Sequence, residues 1–478
     1  MRLEDILVAE GMVRPADLQR AAERSEVRGG RLTENLLALR LVTPEQIKAA
    51  QQMMPPAIPA SIEDTGVTRA TLQALLLKAI YRGGVDSQPG LVELLKLPSH
   101  IIGALLEEAI EQKLLKVTGA SGRSTIPVLT YSLTSTGRGA VAEAMEKNHY
   151  IGPAPVSLHA YSDRVRRQHL SGDKGEPGRI REALSDLVLG EEIIDQVGPA
   201  IAAGRSILFY GPPGNGKSSI AKRIGRVFAD IIHLPYCIEV EGQIIKIFDP
   251  KVHEKVVSTI SPVGPRVKLR QEDFDRRWIA CRRPVVITGG EFSLDMLDLR
   301  FIEESNFYEA PLHIKAVGGT FVIDDFGRQI VRPKDLLNRW MIPLEEKIDY
   351  LKLHTGATFS VPFDELVLFC TNLSPDDLMD AAFLRRIPYK IKLGAPSIEQ
   401  FRNILYRESK ARGLEFTPPQ VDWLINELQG RRRFSLACYQ PHFIVDHIVE
   451  ACAFHRHRPE VTEALLSRAL DNLRPLSE

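Results

Sequence analysis

The chain has 478 residues with 61 basic and 61 acidic side chains, and its net charge of zero excludes a globally basic nucleic-acid-binding surface. Its five cysteines are widely spaced and form no CxxC pair, which excludes a disulfide framework and a zinc ribbon. No apolar stretch approaches the ~18 residues of a membrane span, and the first residues lack the pattern of a signal peptide, so we expect a cytoplasmic protein of about three domains.

An internal repeat opens the chain. Residues 2–22 and 31–51 are similar at an offset of 29 residues, and apolar side chains recur at helical spacing in both copies. Each copy predicts a short helix, a turn and a second helix that begins at a proline. We therefore expect residues 1–54 to form a small helical repeat domain, followed by a stiff, proline-rich linker at 55–67.

Residues 68–149 show the element order of a winged-helix domain. The pattern predicts helices near 69–82, 90–96 and 99–114, and then a β-hairpin at 116–134. We expect the hairpin to turn at Gly119–Gly122 and a further helix to follow it. The exposed helix at 99–112 carries three glutamates and no lysine or arginine, and glutamates repel phosphates. We therefore favour a protein-interaction module over DNA binding.

The rest of the chain predicts an α/β protein with a helical end. Residues 150–182 are rich in glycine and proline and indicate a long, partly extended connection. Strands and helices then alternate from 183 to 394, which predicts a parallel sheet. Residues 395–478 show helical periodicity only.

One segment of the α/β region fits the phosphate-binding pattern GxxxxGK[ST]. It follows an apolar strand at 206–210 and opens a helix, which is the context that this motif requires. Glycines let the backbone amides face phosphates, the lysine reaches the β- and γ-phosphates, and the hydroxyl ligates Mg²⁺. The predicted ATP-binding residues are Gly211, Pro212, Pro213, Gly214, Asn215, Gly216, Lys217, Ser218 and Ser219.

Three further motifs supply groups for phosphoryl chemistry. A buried strand ends in Asp324, which we expect to hold Mg²⁺ with Ser218, and in Asp325, which we expect to orient or deprotonate the attacking water. The next strand ends at Asn372, whose amide can reach the γ-phosphate or position the water. Adjacent arginines, Arg385 and Arg386, suit a phosphate bound by a neighbouring subunit.

With these motifs in this order, residues 183–478 resemble an AAA+ ATPase with Walker A, Walker B, sensor 1, arginine finger and helical lid. The resemblance implies a homo-oligomeric ring, often a hexamer, that uses ATP and Mg²⁺ to remodel or assemble a protein partner. It also implies that Val188 packs on the adenine. The inserted hairpins are similar to those of MoxR-type members.

The repeat domain resembles the N-terminal domain of type II secretion and type IV pilus ATPases, which in some relatives binds cyclic di-GMP. Glu4 and Thr33 replace glycines of that binding motif, and without glycine the backbone cannot approach a ligand closely. We therefore favour a helical domain that docks the protein to a client or to secretion- or pilus-type machinery.

Two alternative functions stay open. One is a DNA-binding regulator that uses ATP as an assembly switch, as the winged-helix pattern would allow. The other is a nucleotide sensor that turns over slowly or not at all. The usual Walker B motif ends Asp-Glu, whereas this one ends with Asp325, whose shorter side chain places the carboxylate about 1.5 Å further back.

Overall fold

A parallel five-stranded sheet lies at the centre of the protein. The structure, a computed structural model, describes residues 3–9, 11–121, 128–170, 177–228, 230–256, 274–378 and 384–473. In space the strands follow the order Tyr389–Lys392, Ile207–Tyr210, Leu366–Thr371, Thr320–Ile323 and Val285–Thr288. All four pairings are parallel. We call Ile207–Tyr210 the P-loop strand, Thr320–Ile323 the acidic strand and Leu366–Thr371 the sensor strand.

These strands are apolar because both faces of the sheet are covered. Successive side chains of a strand point to opposite faces. Phe209 therefore packs with Val197 and Ile220 on one face, and Leu208 packs with Trp340 on the other. The carboxyl ends of parallel strands meet at one edge, where ligands bind in sheets of this kind. The predicted site residues follow those carboxyl ends.

Helices precede the first strand of this sheet in the chain, lie between its strands and follow its last strand. Those that precede or flank the strands are Pro177–Ala183, Glu191–Ala202, Lys217–Ile224, Leu312–Lys315, Pro333–Arg339, Met341–Glu346 and Pro375–Leu378. The C-terminal segment is helical, as predicted, with helices Ile398–Ala411, Pro418–Asn426, Tyr439–Phe454 and Glu463–Asn472. The C-terminal helices share an apolar core of their own, and we call them the lid.

A second, mixed sheet was not predicted. Its strands follow the order Arg300–Ile302, Phe307–Glu309, Gln243–Lys246, Cys237–Val240 and Val156–Ser157. Two antiparallel pairs form separate two-stranded sheets, Ile231–Pro235 with Trp278–Arg282 and Ile348–Lys352 with Thr358–Pro362. The strands are short, so the sequence pattern that predicts a parallel sheet does not reveal them.

The segment at 150–182 differs from the partly extended connection that we expected. It contributes Val156–Ser157 to the second sheet and continues as helix Leu158–Arg167. Tyr161 of that helix is fully buried against the second sheet's apolar core. Residues 171–176 of the expected connection lie outside the described part of the chain.

The front of the chain is helical where the repeats predict helices. Four helices, Leu3–Ala9, Pro15–Arg28, Leu32–Ala38 and Pro44–Met53, enclose a separate apolar core. Then come helices Arg69–Tyr81, Gln88–Leu95, Ser99–Glu111 and Ser135–Lys147, with strands Leu115–Ser121 and Val128–Leu133 before the last helix. The predicted hairpin turn is wrong for residues 119–121, which pair with the second strand after a register shift, and Gly122 lies outside the described residues. The assignment as a winged helix stays a prediction.

The helices after residue 68 pack directly on the second sheet. Their apolar core includes Cys237 and Ile244 from that sheet, and the Thr71 hydroxyl donates a 3.0 Å hydrogen bond to Glu239. Within the described ranges, no single helix is long and apolar enough to cross a membrane, and Gln88–Leu95 with Ser99–Glu111 pass that test only as a bent pair.

Candidate nucleotide-binding site

The predicted P-loop connects the P-loop strand to helix Lys217–Ile224. Gly211, Gly214 and Gly216 adopt φ angles of 133°, 77° and 83°, which residues with a Cβ rarely adopt. At Gly211 a Cβ would also lie 2.3 Å from the Leu393 carbonyl oxygen. These glycines allow the loop to curl, which brings its backbone amides towards a common centre.

Lys217 lies inside this loop. Its Nζ donates hydrogen bonds of 2.8 Å to the carbonyl oxygens of Gly211 and Pro212. Burial lowers the pKa of the Lys217 ammonium below its ordinary value, while Cys370, Asp325 and Asp324 act in the opposite direction. The ammonium is therefore a buried positive charge at the place where the motif binds phosphates.

The structure brings the two predicted metal-binding residues together. Ser218 Oγ donates a 2.6 Å hydrogen bond to Asp324 Oδ1. The Asp324 backbone is fixed in turn, because its N–H donates to the Thr288 carbonyl at 2.8 Å. A hydroxyl and a carboxylate are oxygen ligands of the kind that Mg²⁺ prefers beside phosphates, so these residues fit the ion.

Two further predicted site residues, Asp325 and Asn372, lie at the carboxyl edge of the parallel sheet, where they follow the acidic strand and the sensor strand. Asp325 is exposed and has a left-handed backbone, with φ of 51°. Asn372 is half-buried and directly follows the sensor strand. The sensor strand pairs with both the P-loop strand and the acidic strand, so Asn372 starts between the loop that holds Lys217 and the acidic pair.

The two predicted arginines differ in their surroundings. Arg386 Nε lies 2.9 Å from Glu345 of the same chain, and its side chain is 20% exposed. Arg385 is exposed to solvent. Residues 379–383 of the preceding segment lie outside the described ranges. The geometry therefore separates an arginine that is held within its own subunit from one that faces outwards.

Val188 lies at a cleft between the core and the lid. The cleft has a volume of about 470 Å³ and is lined by Leu187, Val188, Leu189, Asn403, Tyr406, Arg407 and Lys410. Arg407 also donates a hydrogen bond to the Ser185 carbonyl at 2.9 Å, which ties the lid to the core beside the cleft. Apolar and aromatic side chains with a few polar groups are typical of small-molecule binding sites.

The lid contacts the P-loop through residues that the sequence analysis missed. Tyr439 N–H donates to the Gly214 carbonyl at 3.0 Å, and Cys438 N–H donates to Asn215 Oδ1 at 3.3 Å. A Cβ on Gly214 would lie 2.4 Å from Tyr439 Cδ1. These contacts join residues more than 200 positions apart, and no local motif marks them.

Comparisons with known proteins give a distant relationship. The lid, residues 397–472, matches a family described as "Domain of unknown function (DUF8689)". The chain is 24% identical over 204 residues to the proteasome-activating nucleotidase of Methanocaldococcus jannaschii, which covers 40% of this chain and 44% of that protein. The chain is thus similar, at low identity, to AAA+ ATPases.

A second relative agrees with the first. The proteasome-activating nucleotidase of Archaeoglobus fulgidus is 25% identical over 209 residues, or 42% of this chain and 50% of that protein. The chain thus spans about half the length of the curated relatives it matches. Among solved structures, the Thermotoga maritima RuvB Holliday junction branch migration motor is 12% identical with a TM-score of 0.34, covering 59% of this chain and 67% of that one.

Proposed function

We propose that the protein binds and hydrolyses ATP and uses the energy to remodel or assemble a protein partner. The observation that carries this proposal is the 2.6 Å hydrogen bond between Ser218 and Asp324, next to an ammonium buried in the P-loop. A hydroxyl, a carboxylate and an ammonium converge there at the carboxyl edge of a parallel sheet. The distant relationship to AAA+ ATPases supports the same function.

The residues of the chain have distinct parts in this proposal. Ser218 and Asp324 hold Mg²⁺, which when bound supplies positive charge against the phosphate oxygens. Lys217 exchanges the carbonyls of Gly211 and Pro212, its partners in this structure, for the β- and γ-phosphates. The P-loop amides bind the remaining phosphate oxygens. Val188 and its cleft take the adenine.

The residues that follow the acidic strand and the sensor strand act on the attacking water. Asp325 orients or deprotonates the attacking water, and Asn372 holds it against the γ-phosphate. Both residues follow the carboxyl ends of adjacent strands, so their side chains start from one edge of the sheet. A planar, permanently charged guanidinium then stabilises the charge that spreads over the phosphoryl group.

That guanidinium comes from a neighbouring subunit in a ring, which in AAA+ proteins is often a hexamer. We assign this part to Arg385, because its side chain faces outwards. Arg386 has an acidic neighbour, Glu345, in its own chain and supports the position of Arg385. Each ATP site is then complete only at a boundary between two subunits.

The front half of the chain would choose the partner. The helix Ser99–Glu111 exposes Glu107 and Glu111 to solvent, and these carboxylates favour a protein surface over DNA phosphates. The helical repeat domain would dock the ring to a client or to secretion- or pilus-type machinery.

A rate measurement tests the proposal. We expect purified protein to hydrolyse ATP only with Mg²⁺, with a rate per subunit that rises as the protein concentration increases and rings assemble. Lys217→Ala is the inactive control. Concentration-independent turnover by a chain that stays monomeric would remove the neighbouring arginine from the proposal, and no turnover at any concentration would refute hydrolysis.

A slow nucleotide switch is the second candidate, and Asp325 is the observation that favours it. Its carboxylate is one methylene shorter than the usual glutamate, and a catalytic group misplaced by about 1 Å can cost on the order of 10²-fold in rate. Faster turnover by Asp325→Glu would indicate that the native residue is a brake. Equal or slower turnover would exclude this reading.

A further inference from the structure

The turn that follows the acidic strand is closed by one side chain, that of Gln329. We call residues 324–329 the acidic turn. Gln329 Nε2 donates a 2.8 Å hydrogen bond to the Asp324 carbonyl, and Gln329 Oε1 accepts a 2.8 Å hydrogen bond from Gly327 N–H. The donor and the acceptor of one carboxamide are thus both used to bridge the turn across Asp325.

Other contacts fix the acidic turn to the core. Arg328 N–H donates to the Asp325 carbonyl at 2.9 Å, which completes a tight turn, and Phe326 N–H donates to the Cys370 carbonyl of the sensor strand at 2.7 Å. The Phe326 ring is buried, with its centroid 5.0 Å from that of Phe369. The turn is therefore a defined structure rather than a loose strand end.

The packing of the acidic turn against the core also requires a glycine at position 327. Its φ is 100°, and a Cβ there would lie 2.8 Å from Leu378 Cδ2 and 2.9 Å from Leu373 Cδ1. Both leucines follow the sensor strand, so the acidic turn contacts the segment that begins with Asn372. The side chain of Gln329 is half-buried in this arrangement.

The result of this geometry is the conformation of Asp325. Its φ of 51° lies in the left-handed region, which non-glycine residues adopt rarely and often at functional sites. The backbone conformation sets the direction in which the Cα–Cβ bond leaves the chain. For a carboxylate one methylene shorter than the usual glutamate, that direction decides where the oxygens lie.

We propose that Gln329 is a positioning residue that holds Asp325 in this left-handed conformation and thereby directs its carboxylate to the attacking water. This inference rests on the proposed hydrolysis of ATP at the same site. A carboxamide suits the task because it needs one donor, for the Asp324 carbonyl, and one acceptor, for Gly327 N–H. A carboxylate at this position would keep the acceptor only.

The kinetic test compares full-length Gln329→Ala and Gln329→Glu with the wild type. We expect kcat to fall on the order of 10-fold or more, as misplacement of a catalytic group does, while the Kd for Mg²⁺–ATP changes less than about threefold. Arg328→Ala is the matched control, because Arg328 is exposed in the same turn, and its kcat should stay at the wild-type value.

A second set of variants, made in the Asp325→Asn background, separates a positioning role of Gln329 from a general structural effect. In Asp325→Asn, the carboxylate is gone, so adding Gln329→Ala should lower kcat no further. An equal loss of kcat in both backgrounds would overturn the proposal. So would wild-type kcat in Gln329→Ala, or an effect on nucleotide affinity alone.

Thermal unfolding gives a test that needs no activity. If Gln329 holds Asp325 in a strained conformation, Asp325→Gly should raise Tm in the wild-type background, because glycine adopts φ above zero without strain. The increase should vanish in Gln329→Ala. An equal increase in both backgrounds would contradict the inference. A wild type without ATPase activity would refute the proposed function, and this measurement would still decide the role of Gln329.

Discussion

Ser218 and Asp324 lie 106 positions apart in the sequence, yet the Ser218 hydroxyl donates a 2.6 Å hydrogen bond to the Asp324 carboxylate. The P-loop strand and the acidic strand are not neighbours, since the sensor strand lies between them. The side chains meet only because the three strands are parallel and in register. The pair is therefore a product of the sheet topology.

Asp324→Asn should abolish hydrolysis that depends on Mg²⁺ and weaken binding of Mg²⁺–ATP. An amide is a poorer Mg²⁺ ligand than a carboxylate, so we expect a loss of at least about 10²-fold in kcat, the scale of a lost catalytic group. Steady-state rates over a Mg²⁺ titration measure the effect. Asp335→Asn, at an exposed ion pair with Arg332, should keep normal rates. Equal Mg²⁺ dependence in Asp324→Asn and wild type would refute the assignment.

Arg385→Ala and Arg386→Ala should behave differently. We expect Arg385→Ala to lower kcat by about 10³-fold, as loss of an arginine finger does, with little change in ATP affinity. Arg386→Ala removes a partly exposed pair with Glu345 and should lower the unfolding free energy by at most about 1 kcal/mol.

Mixing two inactive variants tests whether Arg385 acts on a neighbour. Lys217→Ala chains cannot bind ATP well but still carry Arg385, so they should restore activity to Arg385→Ala chains in mixed rings. The measurement is the ATPase rate against the mixing ratio. A flat, inactive curve would show that Arg385 does not complete the site of an adjacent subunit.

Gly214→Ala should disturb the contact between the P-loop and the lid. The added Cβ would lie 2.4 Å from Tyr439 Cδ1, and the residue has a φ of 77°, so the change combines a steric clash with backbone strain. We expect weaker ATP binding, measured by calorimetry. Tyr439→Ala in the same chain should recover the part that arises from the clash. No recovery would assign the whole effect to backbone strain.

Stability should fall in acid because of His233. Burial lowers the pKa of the His233 imidazole to about 3, below its ordinary value of about 6.5. As the pH falls from about 6.5 to about 3, the unfolded chain takes up the proton first, which costs up to about 1.4 kcal/mol of stability per pH unit. Denaturant titrations at several pH values in this range give the free energy of unfolding, which should fall less steeply with decreasing pH in His233→Asn than in the wild type. In His457→Asn, at an exposed position, this free energy should depend on pH as it does in the wild type.

The sequence predicts the parts of the site that are local. The P-loop is a contiguous motif between a strand and a helix, and Asp324 directly follows a buried apolar strand, so both can be found without coordinates. The contact of Tyr439 with Gly214 and the carboxamide of Gln329 across the acidic turn depend on tertiary geometry. The second sheet was missed for a related reason, because strands of two to four residues carry too little periodicity.

Calorimetric titration of the full-length chain with ATP in the presence of Mg²⁺ is the most direct test of the central claim. We predict saturable binding of ATP to the wild type and a loss of that binding in Lys217→Ala, whose fold should be kept as judged by circular dichroism. A wild-type chain that takes up no ATP, or a Lys217→Ala chain that binds it equally well, would contradict the account.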